Sequence, residues 1–336
     1  MTVPGRRPSI DDVTSILLAA MLLACCGFAR GQGFSIDPWR AILPLLAIAG
    51  LIVARTVALR RGQPRGAAAA AAFLQMTLFT ELGVVLAYTI AAHPAPLWDA
   101  RLAAADGALG FGWPAILRAL DGWPAMIALL GIAYHSLSVQ MVVAILALSK
   151  AGRLDTLRVL VAAAVLSGFV TILVSAVMPA MGNLADPAPY ANLWPSIAWL
   201  ERDLIAGLRD GSNRVLDLSA LMGIVSFPSY HATLAALFIW CARDLPRLRW
   251  PLVFWAVLTI VATPVFGGHY AVEVIVGLLL APPAIAVARL LAARLGQVDR
   301  APAPLAATHV AGHRRPLHDH RSDAGQSVLE PTHDMA

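Results

Sequence analysis

The sequence predicts an all-α, polytopic membrane bundle of about eight transmembrane helices, with the N and C termini both cytoplasmic. Three observations carry this expectation. The chain of 336 residues is 59% hydrophobic and only 13% charged, with a mean hydropathy of +0.71. A water-soluble domain has about 45–50% apolar and about 25% charged residues. The apolar residues gather into stretches of membrane-spanning length, and the Arg and Lys residues cluster between alternate stretches. So much apolar surface needs lipid around it, which excludes a soluble enzyme, a nucleic-acid binder and a disordered chain. The pI of 9.6 then reflects membrane topology rather than a nucleic-acid-binding face.

A hydrocarbon core of about 30 Å takes roughly 20 helical residues. Eight stretches qualify or nearly do: residues 13–28, 41–59, 67–92, 124–149, 157–177, 228–242, 250–266 and 270–293. The first has a trace of a secretion signal, because Leu22-Leu23-Ala24-Cys25 approaches a lipoprotein cleavage box. Asp11 and Asp12 stand between its basic start and its apolar run, where a signal favours positive charge alone. The reading is therefore an uncleaved span. Arg6 and Arg7 precede span one; Arg55, Arg60, Arg61 and Arg65 join spans two and three; Lys150, Arg153 and Arg158 join four and five; Arg243, Arg247 and Arg249 join six and seven; Arg289, Arg294 and Arg300 close span eight. With eight spans all these fall on one side, the cytoplasm by the positive-inside rule. The longer, charge-balanced loops 93–123 and 178–227 face outward. Cys25, Cys26 and Cys241 lie inside apolar stretches, so no disulfide framework is expected. The chain divides into N-terminal helices and an outer loop (1–120), a catalytic bundle (121–295) and a disordered cytoplasmic tail (296–336). The tail histidines His309, His313, His318 and His320 read as solvated residues.

Two polar blocks stand out at the outer ends of spans. The first reads Ser226-Phe227-Pro228-Ser229-Tyr230-His231; the second reads Gly267-Gly268-His269-Tyr270-Ala271-Val272-Glu273. Pro228 suits the first position of a helix, where its missing N–H costs nothing. The amides of Ser229, Tyr230 and His231 would then be free at the positive end of a helix dipole, an arrangement that binds phosphate. Ser229 adds a hydroxyl, and His231 adds a proton donor suited to neutral pH. In the second block, Gly267-Gly268 permits unusual backbone angles and close approach of a ligand. His269 and Glu273 are four apart, which puts them on one helical face. There a carboxylate can fix the imidazole tautomer and raise its nucleophilicity. Taken singly, each block also fits a plain helix start or a buried polar pair. Together, two imidazoles on one membrane face argue for a site.

The two blocks resemble the type-2 phosphatidic acid phosphatase superfamily of membrane phosphatases and phosphotransferases. The resemblance covers about residues 120–293 and is nearest to the branch with inositol phosphorylceramide synthases and their bacterial relatives. That branch has blocks resembling Phe227-Pro228-Ser229-x-His231 and Gly267-Gly268-His269-Tyr270-x-x-Glu273, and Tyr134, Ser136, Gln140 and Pro179-Ala180-Met181-Gly182 are similar to it as well. The resemblance implies that His269 attacks phosphorus, that His231 protonates the leaving alkoxide, and that Ser229, Tyr230 and Gly268 hold phosphoryl oxygens. It implies no metal and no cofactor. Three departures stand against it. Glu273 replaces an Asp, Thr263 stands where the wider family has an Arg, and the Lys-x6-Arg-Pro block is missing. The only lysine, Lys150, is on the predicted cytoplasmic side. Positive charge for the phosphate is therefore expected from Arg202, Arg209 or Arg214 in the outer loop, where Arg202-x6-Arg209 reproduces the family spacing. As a solvated amphipathic loop helix, the same arginines would need no ligand.

The sixth span is short, rising about 22 Å. Anchored at Arg243, it would set the histidines at headgroup depth, which suits a lipid phosphate of the phosphatidate or prenyl diphosphate class. With water as acceptor the protein is a phosphatase; with a lipid alcohol it is a headgroup transferase. The phosphatase reading needs one fewer binding site. A polytopic transporter is the alternative class, fitted by Glu81 in span three and by Pro282-Pro283 in span eight. It leaves the two outer-face histidines unexplained. Glu81 and His135 lie at about the same depth, roughly 16 Å from the outer ends of consecutive antiparallel spans. If the two helices are neighbours the side chains can meet, either as a packing device or, with Gln140, as a polar floor to the headgroup pocket; otherwise they are unrelated residues bonded elsewhere. The bacterial inner membrane is the expected location, with the site on its periplasmic face. Lipid phosphate and membrane lipids are the expected partners.

Overall fold

The computed structural model describes residues 8–93, 95–183, 190–193, 197–224 and 227–296. Arg6, Arg7, Ser226, Arg300 and the tail histidines lie outside them. The protein is an all-α polytopic membrane bundle. Its helices are α1 (Ile10–Gly31), α2 (Pro38–Arg60), α3 (Pro64–Ala91), α4 (Asp99–Ala108), α5 (Trp113–Asp121), α6 (Pro124–His135), α7 (Leu137–Lys150), α8 (Leu154–Val177), α9 (Ile197–Asp210), α10 (Tyr230–Ala242), α11 (Arg249–Phe266) and α12 (Ala271–Arg294). A two-residue parallel pair, β1 (Ser35–Ile36) and β2 (Val215–Leu216), ties the α1–α2 turn to the segment after α9.

By length and composition, α1, α2, α3, α8, α11 and α12 can cross a membrane, and α5 with α6 makes a seventh if that pair, bent by 114°, is one span. All eight stretches read from the sequence are helical, with two qualifications. The fourth breaks at Ser136 into α6 and α7. The Ser136 hydroxyl donates to the Ala133 carbonyl (2.9 Å) and accepts from the Trp255 indole (2.6 Å), so a side chain competes with the helix ladder at that point. The sixth is only 13 residues long as α10.

The helix starts follow the capping rules. Ser9 and Asp12 close a capping box on α1, with Asp12 N–H to Ser9 Oγ at 3.2 Å and Ser9 N–H to Asp12 Oδ2 at 2.7 Å. The same Asp12 that argues against a secretion signal therefore starts a helix. α1 packs on α3 and α8 through Ile10, Leu18, Met21 and Cys25. α8 is the centre of the bundle: Val159 to Val165 are all buried, as in a helix surrounded by others. Small residues at the contacts, such as Ala163 and Ala164 of α8, Ala235 and Ala242 of α10, and Ala281 and Ala288 of α12, let the backbones approach closely. The outward faces carry Leu43, Leu46 and Val53 of α2, Phe254 and Val261 of α11, and Leu279 and Leu290 of α12. Exposed aliphatic rows of this kind fit lipid and do not fit water.

Candidate active site

The short helix α10 sets the first imidazole. Ser229 is its N-cap, and the serine Oγ accepts the Ala232 N–H at 3.4 Å. The helix therefore starts at Tyr230, and Pro228 stands one residue ahead of the cap instead of at the first helical position. Ser229 is fully buried, and its N–H donates to the Glu273 carbonyl at 3.0 Å. That corrects the expectation of three free amides. Those of Tyr230 and His231 have no partner among the described residues, while the Ser229 amide ties α10 to α12.

The start of α12 sets the second imidazole. Tyr270 is the N-cap, so His269 lies just outside the helix and Glu273 is the third residue within it. Glu273 Oε2 accepts the Tyr270 N–H at 3.1 Å and meets His269 Nδ1 at 2.8 Å. The two residues thus do not meet as neighbours on one helical face. The carboxylate turns back over the first turn, as in a capping box, and captures the imidazole on the way. Glu273 is fully buried and His269 is 4% exposed. With Nδ1–H given to the carboxylate, Nε2 carries the free lone pair.

The backbone around His269 is held tightly. Gly268 has φ +62°, a left-handed conformation that favours glycine. Asn183 donates from its backbone N–H to the Gly268 carbonyl at 2.5 Å and from Nδ2 to the His269 carbonyl at 3.0 Å. A Cβ on Gly267 would stand 2.8 Å from the His269 ring, from the Thr263 carbonyl and from the Tyr134 hydroxyl. Both sequence-level reasons for the paired glycines, unusual angles and close approach, apply here, one to each residue.

The imidazoles of His231 and His269 come together with ring centroids 6.2 Å apart. Tyr134 of α6 stacks on His231 at 4.5 Å, with the planes 11° from parallel. Phe266 and His135 border the same tyrosine ring. The site therefore has a buried imidazole–carboxylate pair, a second imidazole across a small gap, and an aromatic wall.

Other residues singled out by the sequence lie elsewhere. The Tyr230 side chain points into the core: its hydroxyl donates to the Ala164 carbonyl at 3.0 Å, and its ring packs on Phe79. Only its backbone N–H remains for a phosphate. Arg202 is exposed on α9. Arg214 donates to the Leu208 and Asn213 carbonyls (2.5 and 3.2 Å) and covers the Phe34 ring, so it closes the end of α9. Arg209 lines a separate cavity. Thr263, at the position of the family Arg, is buried and donates to the Thr259 carbonyl. Gln140 donates to Thr259 Oγ1 at 2.8 Å and so joins α7 to α11.

Of the alternatives for Glu81 and His135, pairing is not formed: no hydrogen bond or ion pair joins them among the described residues. α3 packs on α1, α2, α7 and α8, whereas α6 packs on α11 and α5. Equal depth does not make helices neighbours. His135 instead sits edge-on to Tyr134, at 5.3 Å.

Sequence reasoning passed over four acids. Asp99, Asp106 and Asp121, on α4 and α5, each accept backbone N–H groups from a distant segment. Asp99 holds Met181 (3.0 Å) and Gly182 (3.0 Å) and accepts the Tyr270 hydroxyl (3.3 Å). Asp106, 1% exposed, holds Ala271 (2.7 Å) and Val272 (2.9 Å) at the start of α12 and also the Trp113 indole (2.6 Å). Asp121 holds Ala191, Asn192 and Leu193. Their spacing in a charge-balanced loop carries no signal of this role. The fourth acid, Glu201, lies on the inward face of α9 that also carries the buried Ile205 and Leu208. Burial, reinforced by the charge of Glu273, pushes its carboxyl up to about 8.

Fold and site together define a polytopic, all-α membrane protein that brings two imidazoles and a buried carboxylate to neighbouring helix starts. The family model of the PAP2 superfamily matches residues 100–287, over half of the chain, and the protein belongs to that superfamily, the type-2 phosphatidic acid phosphatases. The superfamily comprises phosphatases and phosphotransferases, and membership makes the chain an enzyme of that general kind. Neither the curated proteins nor the solved structures include a match to it.

Proposed function

We propose that the protein hydrolyses a lipid phosphate, of the phosphatidate or prenyl diphosphate class, at the outer face of the membrane through a phosphohistidine on His269. The observation that carries the reading is the buried His269 Nδ1–Glu273 Oε2 contact of 2.8 Å beside His231. Nε2 of His269 attacks the terminal phosphorus, and the P–O bond to the lipid oxygen breaks (to the alcohol of a phosphatidate, or to the bridging oxygen of a prenyl diphosphate). His231 gives its proton to the departing oxygen, an alkoxide or a prenyl phosphate. The new positive charge on His269 is stabilised by Glu273. Water, deprotonated by His231, then attacks the phosphohistidine, releases phosphate and restores both imidazoles. The backbone N–H groups of Tyr230 and His231, the Ser229 hydroxyl and the Gly268 backbone receive the phosphoryl oxygens at the positive end of α10. No metal or cofactor takes part in this scheme. The short α10, about 20 Å by helical rise, supports a site sunk to headgroup depth, and the clusters of Arg and Lys support an extracytoplasmic face in a bacterial inner membrane. A lipid alcohol in place of water would make the same residues a headgroup transferase of the inositol phosphorylceramide synthase type.

The test is turnover of phosphatidate, of prenyl diphosphate, and of ceramide with phosphatidylinositol by purified protein, with quenching in alkaline denaturant to trap phosphoenzyme. Acid-labile phosphate on the wild type and none on His269→Ala is the expected result. Substantial activity in His269→Ala would refute the nucleophile.

A further inference from the structure

A cavity of about 40 Å³ lies where the C-terminal ends of α3 and α8 meet α9, and Ile90, His93, Ser175, Ala176, Ile205 and Arg209 are among its lining residues. By the same measure a water needs about 10–15 Å³, so the space suits a few waters or one compact oxyanion. The wall is mostly hydrocarbon. Ser229, His231, His269 and Glu273 are not part of it. Arg209 of α9 donates from Nη2 to the Ala95 carbonyl at 3.0 Å. Its Nε is buried without a hydrogen-bond partner. Among the described residues no carboxylate lies within ion-pair distance of this guanidinium. A buried donor left unmet is costly unless an acceptor arrives. The planar fork of a guanidinium matches phosphate and carboxylate oxygens. His93, exposed at the rim, offers a second polar contact.

The cavity adjoins the reaction centre without being part of it. Pro179 and Ala180 of its wall run into Met181 and Gly182, whose N–H groups Asp99 holds, and Asp99 accepts the hydroxyl of Tyr270, the cap of α12. Ala180 and Tyr270 pack in one small cluster.

We propose that this cavity binds the oxyanion of an anionic membrane lipid, with Arg209 as its main ligand, at a site distinct from the two histidines. Hydrocarbon walls around a single unpaired guanidinium fit an amphiphile better than a free, fully hydrated ion. The inference stands whether or not His269 forms a phosphoenzyme.

The experiment measures binding of phosphatidate and phosphatidylcholine to the detergent-solubilised full chain by native mass spectrometry. A His269→Ala background removes turnover and keeps the outcome separate from the proposed reaction. Adding Arg209→Leu is expected to weaken phosphatidate binding by about tenfold or more, the loss of a charge-assisted hydrogen bond, and to leave phosphatidylcholine binding as it was. Ala176→Phe adds bulk to the lining from the α8 side and does not touch the Arg209–Ala95 bond, so it decides the matter even if Arg209→Leu fails to fold. Unchanged phosphatidate binding in Ala176→Phe would overturn the site. Displacement of phosphatidate by inorganic phosphate at matched concentration would assign the cavity to a free anion and overturn the lipid. Failure of inorganic phosphate to compete is the expected result.

Discussion

The phenol ring of Tyr134 lies flat on the imidazole of His231, with centroids 4.5 Å apart and planes 11° from parallel. The contact joins α6 to α10 and leaves His231 little freedom to turn away from His269. An aromatic pair of this kind contributes about 0.5–1.5 kcal/mol beyond its burial. Tyr134→Phe keeps the ring and is expected to retain most activity. Tyr134→Leu is expected to lower kcat by up to about tenfold with the fold intact. Equal kcat for wild type and Tyr134→Leu would show that stacking does not position His231.

Glu273 both caps α12 and holds His269. Glu273→Gln retains a side-chain oxygen for the Tyr270 N–H but removes the charge that stabilises an imidazolium. Turnover is expected to drop by at least about 10²-fold, as for the carboxylate of a catalytic triad, with little change in Tm. Glu273→Asp restores the residue typical of the family and should be tolerated. If Gln serves as well as Glu, the carboxylate only holds the backbone.

His231 is separable from His269 by leaving group. His231→Ala should still form phosphoenzyme from substrates whose alcohols leave without protonation, and should fail with ordinary lipid phosphates. Equal failure with both kinds of substrate would contradict its role as the acid.

Gly277 of α12 faces the cap of α10: a Cβ there would stand 2.3 Å from the Ser229 carbonyl oxygen. Backbone rather than a flexible side chain is in the way. Gly277→Ala should therefore push the two histidine-bearing helix starts apart and cost about 1–3 kcal/mol, as overpacking does. Thermal denaturation and kcat should fall together. An unchanged Tm would mean that the helices separate freely.

Glu201 gives a pH signature. Its folded carboxyl, near 8 against 4.5 for the free group, binds more protons folded than unfolded between those values. Its contribution to stability therefore declines as pH rises through that window and levels off above it. Replacing it by Gln removes the dependence, so Glu201→Gln should gain Tm relative to wild type on going from about pH 5 to about pH 9. A constant difference in Tm across that range would place the carboxyl in water.

Hydropathy alone made the all-α membrane bundle legible, because a lipid-spanning helix must satisfy its own backbone and present apolar side chains over its whole length. The two histidine blocks were legible for a related reason. A serine cap, a proline, two glycines and a carboxylate four residues from an imidazole are local rules, and they act within one turn of chain. Even so, the sequence put the His269–Glu273 contact on a helical face, and folding made it through a helix cap. What lay beyond one turn was decided by tertiary structure. The equal depth of Glu81 and His135 carried no information about which helices are neighbours. The spacing Arg202-x6-Arg209 did not bring either guanidinium to the histidines: one is exposed on α9 and the other lines a separate cavity. Asp106 reaches the amides of Ala271 and Val272 across more than 160 residues of chain. A carboxylate in a polar loop looks the same in sequence whether it meets water or a distant helix start, because only the packing of α4 against α12 supplies the partner.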